Sequence, residues 1–133
     1  MALNVLIVDD SWIMRAMVAR TLRLSGIPLG EVYEAGDGRA GAAMARELRV
    51  DLVLTDLNMP VMDGDAMIAE LRGDPRTAEL PIIVVSSEAS DARREHLRAR
   101  NIAFVQKPFT REHLRDVVLT ALCLTDAGFS DSA

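Results

Sequence analysis

Five short apolar runs rich in β-branched residues recur along the chain, at residues 4–8, 32–35, 52–55, 82–86 and 103–106. Their apolar residues are continuous rather than alternating, the pattern of strands buried on both faces. Stretches with helical spacing lie between them. Ser11 stands as an N-cap ahead of Met14, Met17, Val18, Thr21 and Leu22, spaced i, i+3, i+4, i+7, i+8. Leu114, Val117, Val118, Ala121 and Leu122 repeat that spacing near the end of the chain. Gly41, Met44, Ala45 and Leu48 form a weaker stripe, Met67, Ile68 and Leu71 another, and residues 91–100 a short, highly charged helix. Strand followed by helix, five times over, predicts an α/β fold with a parallel sheet covered on both faces.

The 133 residues suit one domain. We expect it to span residues 1–124, with a short polar tail at 125–133 and no effector domain. Half the residues are hydrophobic but only 4% are aromatic, so the core must be aliphatic. Fifteen Lys+Arg against twenty Asp+Glu give a net charge of −5, which argues against wholesale binding to a phosphate backbone. Cys123 is the single cysteine, so no internal disulfide can form. Asp9 and Asp10 interrupt the first apolar run too early for a secretory segment, and no run approaches the roughly 20 residues that cross a bilayer. The expectation is a cytoplasmic domain that binds no nucleic acid and inserts in no membrane.

In an open parallel sheet, ligands sit beyond the carboxyl ends of the strands, where strand order reverses. The first strand ends in Asp9-Asp10, the third in Asp56, the fourth in Ser86 and the fifth in Lys107-Pro108. Three carboxylates, a hydroxyl and an ammonium therefore converge on one rim. Clustered carboxylates repel unless a cation compensates. Oxygen-only ligands in that number suit Mg²⁺ with room left for a phosphoryl oxygen. Lys107 adds a fixed positive charge and Ser86 a hydrogen-bond donor, so charge on a transferring phosphoryl group is stabilised. A carboxylate beside the metal can itself be the nucleophile, forming an aspartyl phosphate.

The segments Val5-Leu-Ile-Val-Asp-Asp10, Leu52-Val-Leu-Thr-Asp-Leu-Asn-Met-Pro-Val-Met-Asp-Gly64, Pro81-Ile-Ile-Val-Val-Ser86 and Lys107-Pro-Phe-Thr110 resemble a response-regulator receiver domain of the single-domain chemotaxis type. The likeness runs from about Asn4 to Leu122. It implies a flavodoxin-like five-stranded sheet of order 2-1-3-4-5 and a commonly cis Lys107-Pro108 bond. It further implies that Asp56 accepts phosphate from a histidine kinase. Asp10 and Asp56 would bind Mg²⁺ through their side chains, Asn58 through its backbone carbonyl and Asp9 through water. Ser86 and Phe104 would be switch residues, Lys107 the family's lysine, and Asn58 and Glu88 the tuners of dephosphorylation. The implied protein is a stand-alone switch with no turnover of an external substrate. Its partners would be a histidine kinase, a target docking on the fourth helix, fifth strand and fifth helix, and a phosphatase. Phe104 lacks a hydroxyl, so its switching would be by packing alone, and Ser87 leaves open which of two hydroxyls faces the phosphate.

Each residue alone has an ordinary explanation. Asp9-Asp10 could cap a helix, Asp56 could serve a turn, and Lys107 could be solvated ahead of a proline. Their occurrence at successive strand ends favours one shared purpose. Trp12 reads either as a partly buried anchor or as a fluorophore beside the site. His96 and His113 fall on exposed-looking positions. Arg93, Arg94, Arg98, Arg100, Arg111 and Arg115 form a basic region, either a solvated face or a dock for an acidic partner. Gly36-Asp-Gly-Arg-Ala-Gly41 matches a dinucleotide fingerprint with Asp56 twenty residues on, but it follows the second strand and leaves the other acids unexplained. Two further alternatives are a haloacid-dehalogenase-type phosphohydrolase, whose paired acids would stand two apart rather than adjacent, and a constitutive pseudo-receiver.

Overall fold

The structure, a computed structural model, describes residues 2–87 and 90–125, with side chains described as far as Leu122. Ten elements alternate: β1 (Leu3–Val8), α1 (Trp12–Leu24), β2 (Leu29–Ala35), α2 (Gly38–Glu47), β3 (Leu52–Thr55), α3 (Gly64–Gly73), β4 (Ile82–Ser86), α4 (Asp91–Ala99), β5 (Ala103–Gln106) and α5 (Arg111–Thr125). The strands form one parallel sheet in the order β2-β1-β3-β4-β5. The tail beyond residue 125, Glu88 and the Cys123 side chain lie outside the described residues.

Pleating explains the continuous apolar runs, because successive side chains go to opposite faces and both faces are covered. Val5, Ile7, Leu52, Leu54, Ile83 and Val85 point to one side, where Val18, Ala19 and Leu22 of α1 and Leu114, Val118 and Ala121 of α5 close over them. Leu6, Val8, Val53, Ile82 and Val84 point to the other, beneath Ala42 and Ala45 of α2, Met67, Ile68 and Leu71 of α3, and Leu97 of α4. The core is aliphatic throughout, as the composition requires.

The outer strands depart from the expectation of double burial. β2 is mostly half-buried or exposed, and β5 buries only Val105 fully. Both are edges, with a neighbour on one side alone. β2 also starts at Leu29, three residues before the expected 32, through a segment containing Gly30 and Glu31 that carries no apolar signal. On α1 the buried line runs through Val18, Ala19 and Leu22, and Met17 is 54% exposed, so the predicted stripe was rotated by part of a turn. Leu48 is the exposed C-cap of α2 rather than part of its buried face, which uses Gly38, Gly41, Ala42 and Ala45. Arg100 likewise caps α4 instead of extending it.

Side chains start every helix. Ser11, Asp37, Asp63 and Ser90 accept from the N–H groups of Met14, Ala40, Ala66 and Arg93, and the Thr110 hydroxyl does the same for His113. Each cap contributes about 1 kcal/mol and fixes where the preceding loop must end. All five of these loops leave the carboxyl ends of the strands.

Candidate functional site

Register determines which loop residues meet. Val8 pairs with both Ala35 and Thr55, so Asp9 and Asp56 leave adjacent strands at the same level. The Asp56 N–H donates to the Val8 carbonyl at 3.0 Å, which extends the ladder by one residue. Ser86 pairs with Gln106, and the Lys107 N–H donates to the Ser86 carbonyl at 3.0 Å. Asp9, Asp10, Asp56, Ser86 and Lys107 thus share the carboxyl end of the sheet, whose strand order reverses between β1 and β3.

Asp9 and Asp56 each have one oxygen held by the backbone. Asp9 Oδ1 accepts from the Ser11 N–H at 2.9 Å, and Asp56 Oδ1 accepts from the Leu57 N–H at 2.7 Å. The other oxygens face the ammonium: Lys107 Nζ lies 3.4 Å from Asp9 Oδ2 and 3.7 Å from Asp56 Oδ2. Carboxylate oxygens of Asp9, Asp10 and Asp56 lie within 4.8 Å of one another. Asp9 is buried at 4% exposure, Asp56 is half-buried and Asp10 is exposed. Burial pushes the Asp9 carboxyl above its ordinary range. The Ser11 N–H and the Lys107 charge oppose that rise, and the Asp56 charge adds to it.

Three carboxylates against one ammonium leave two formal negative charges in a small volume. Hard oxygen donors with a charge deficit of two fit a divalent cation such as Mg²⁺. Ser86 is buried at the end of β4, whereas Ser87 is exposed. Asn58 is exposed two residues beyond Asp56. The Lys107-Pro108 peptide bond is cis.

Gly64 supports the site through a close backbone approach. A Cβ there would strike the Asp56 carbonyl oxygen, and the Gly64 N–H donates to the Leu57 carbonyl at 2.8 Å. The first turn of α3 therefore lies directly against the loop that carries Asp56. Two glycines of the dinucleotide-like motif are packing residues: Gly38 abuts the Met62 carbonyl, and a Cβ at Gly41 would fall 2.9 Å from Met67 Sδ and Val8 Cγ2. Gly41 lets α2 sit close to β1 and α3, and Gly38 lets its start sit against the loop before α3, so both are accounted for without a nucleotide.

Around this centre the picture is mixed. Trp12 is 68% exposed, so it is no anchor, although it stands two residues beyond Asp10. His96 and His113 are exposed, as expected. Phe104 is half-buried on β5 with the Arg94 guanidinium 4.5 Å from its ring centre. Most of the basic region is engaged within the fold. Arg93 pairs with Asp65, Arg94 donates to Gln106 Oε1 at 2.5 Å, Arg98 pairs with Glu95 and Arg111 with Glu112. Sequence reading missed Arg15, whose Nη1 donates to the Asp9 carbonyl at 2.6 Å. A contact to main chain leaves no side-chain pattern by which to find it.

An open parallel sheet with a lysine at its switch point, beside three carboxylates that could hold a metal ion, defines the class of α/β module to which the chain belongs. The family model of the response regulator receiver domain matches residues 5–119, and the chain belongs to that family. Receiver domains are signalling modules that bind Mg²⁺ at an acidic pocket, and those of the CheY type interact with histidine kinases and downstream targets. The chemotaxis protein CheY of Pseudomonas aeruginosa is 34% identical over 117 residues, covering 87% of this chain and 93% of that protein. A protein-glutamate methylesterase/protein-glutamine glutaminase of Koribacter versatilis is 36% identical over 134 residues, but the match spans only 36% of its length. Among solved structures, the chemotaxis response regulator CheY4 of Vibrio cholerae superposes with a TM-score of 0.79 at 33% identity, over 92% of this chain and all of that one. The receiver domain of a sensor histidine kinase from Pseudomonas aeruginosa, with a magnesium ion coordinated in its active-site cleft, gives 0.79 at 25% identity, over 92% and 98% of the two chains. No helix among the described residues is long and apolar enough to cross a membrane.

Proposed function

We propose that this chain is a response regulator of two-component signalling in which Asp56 takes a phosphoryl group from a histidine kinase. The observation that carries this is the meeting of Asp9, Asp10 and Asp56 with Lys107 at one end of the sheet. The match to 93% of the Pseudomonas CheY supports the response-regulator reading.

Asp56 Oδ1 is tied to the Leu57 N–H, which leaves Oδ2, on the Lys107 side, to attack phosphorus. The Oδ2–P bond forms as the P–N bond of a phosphohistidine breaks, and the imidazole nitrogen keeps the electron pair and takes a proton. Mg²⁺ held by Asp10, Asp56 and the Asn58 carbonyl, with Asp9 through water, would neutralise charge on the transferring oxygens. Lys107 supplies the second positive charge. Ser86 then donates its hydroxyl hydrogen to the new phosphoryl group, and Phe104 repacks behind it to alter the α4–β5–α5 face, where a downstream protein docks. Phosphorylation adds up to about two negative charges at one point. A 1:99 to 99:1 shift in state requires about 5.5 kcal/mol of differential stabilisation. Asn58 and Glu88 set access of the hydrolytic water and hence the lifetime of the phosphoryl group.

Incubation with acetyl phosphate and Mg²⁺, followed by intact mass measurement, tests the reading. We expect a single adduct on the wild type and none on a folded Asp56→Asn, with no turnover of p-nitrophenyl phosphate. Sustained release of nitrophenol would favour a phosphohydrolase instead. An adduct that survives Asp56→Asn would remove Asp56 from its role.

A further inference from the structure

Neighbouring residues in an extended strand direct their side chains to opposite faces. Asp9 and Asp10 nevertheless present carboxylate oxygens to one pocket, within 4.8 Å of each other and of Asp56. The chain must therefore bend where it leaves β1. The strand ends at Val8, the Asp9 N–H is still tied to the Ala35 carbonyl at 3.1 Å, and by Ser11 the backbone is already capping α1. Arg15 reaches back from the first turns of α1 to that bend. Its Nη1 donates to the Asp9 carbonyl at 2.6 Å and its Nε to Glu34 Oε1 on β2 at 2.9 Å. The side chain is largely buried, at 18% exposure, and a Cβ on Gly36 would lie 3.7 Å from its Nη1.

We propose that Arg15, braced by Glu34, is a positioning residue for cation binding: it clamps the Asp9 carbonyl on the outside of the bend so that both acids face the metal. The inference rests on the reading of the acid cluster as a Mg²⁺ pocket. A guanidinium suits the task because its rigid fork bonds two acceptors at a fixed angle, where an ammonium offers a single point charge on a flexible stem. Partners of this kind, one step removed from a metal, typically change metal affinity by 10–100-fold when lost.

The test is calorimetric titration of the metal-free full chain with MgCl₂, comparing wild type, Arg15→Ala, Arg15→Lys and Glu34→Gln, with folding checked by circular dichroism. Arg15→Ala should bind Mg²⁺ about tenfold more weakly or worse. Arg15→Lys and Glu34→Gln should fall between it and the wild type. Labelling by acetyl phosphate should return towards the wild-type rate at saturating Mg²⁺, because only the metal's seat has been loosened. A folded Arg15→Ala with wild-type affinity overturns the inference, as does a labelling defect that saturating Mg²⁺ leaves in place. If Arg15→Ala fails to fold, Glu34→Gln decides: unchanged affinity there overturns the clamp. A wild type that binds no Mg²⁺ overturns the pocket itself, and the clamp with it.

Discussion

The middle of the sheet and two residues of its carboxyl-end rim, Asp9 and Ser86, are buried to similar degrees with opposite energetic consequences. Val5, Leu6, Val53 and Ile83 are fully enclosed, and each buried methylene there contributes about 0.8 kcal/mol. A few residues along the same strands, Asp9 at 4% exposure and Ser86 at 1% are enclosed almost as completely. There burial opposes folding: the Asp9 carboxyl is forced above its ordinary range and two further carboxylates crowd it. The backbone of the rim shows a similar tension. Val61, a β-branched residue in the loop after Asp56, sits at φ 66°, a conformation that costs on the order of 1–3 kcal/mol outside glycine. The interior supplies the stability that the rim uses up, and the rim's excess negative charge is what a cation can relieve.

That contrast can be broken at either end. Leu54→Ala, in the middle of β3, should cost about 3 kcal/mol in urea unfolding while the folded fraction still labels at Asp56. Loss of labelling in the folded fraction would show that rim geometry depends on the core more tightly than the comparison allows. At the rim, Mg²⁺ at one hundred times its Kd should raise wild-type stability by about 2.7 kcal/mol, and Asp10→Ala should lose most of that gain.

The smallest effect sharpens the comparison most. Because the Asp9 pKa is higher in the folded state than in the unfolded chain, the native state binds the proton more tightly. The Asp9 contribution to stability is therefore greatest at low pH, and it falls as pH rises from the unfolded value, about 3.9, through the folded one. Without metal, Asp9→Asn should be more stable than the wild type at neutral pH and should lose that share of the pH dependence. Urea midpoints measured across pH would show it. A less stable Asp9→Asn at neutral pH would mean that the Lys107 pair outweighs desolvation.

The same division explains how much could be read from the sequence. β3, β4 and β5 fall at the expected residues, because unbroken aliphatic runs bounded by polar residues admit little else. The rim acids and Lys107 were legible for a related reason: a charged residue immediately after a buried strand has one place to go. Helix faces were less so. Met17 and Leu48 fit the spacing but lie outside, since small residues such as Ala19 and Ala42, which carry weak hydropathy, make the close contacts. The start of β2 was hidden because an edge strand needs no apolar run. Arg15 and Gly64 act on main-chain atoms of Asp9 and Asp56, and contacts of that kind have no signature in side-chain order.

The most direct measurement is chemical trapping of the labelled protein. After treatment with acetyl phosphate and Mg²⁺, borohydride reduces an acyl phosphate to the alcohol, so a phosphorylated aspartate is read in peptide mass spectra as homoserine. The account predicts homoserine at position 56 and an unmodified Asp9 and Asp10. Homoserine at position 9 or 10, or at no position despite a folded, Mg²⁺-bound protein, would contradict it.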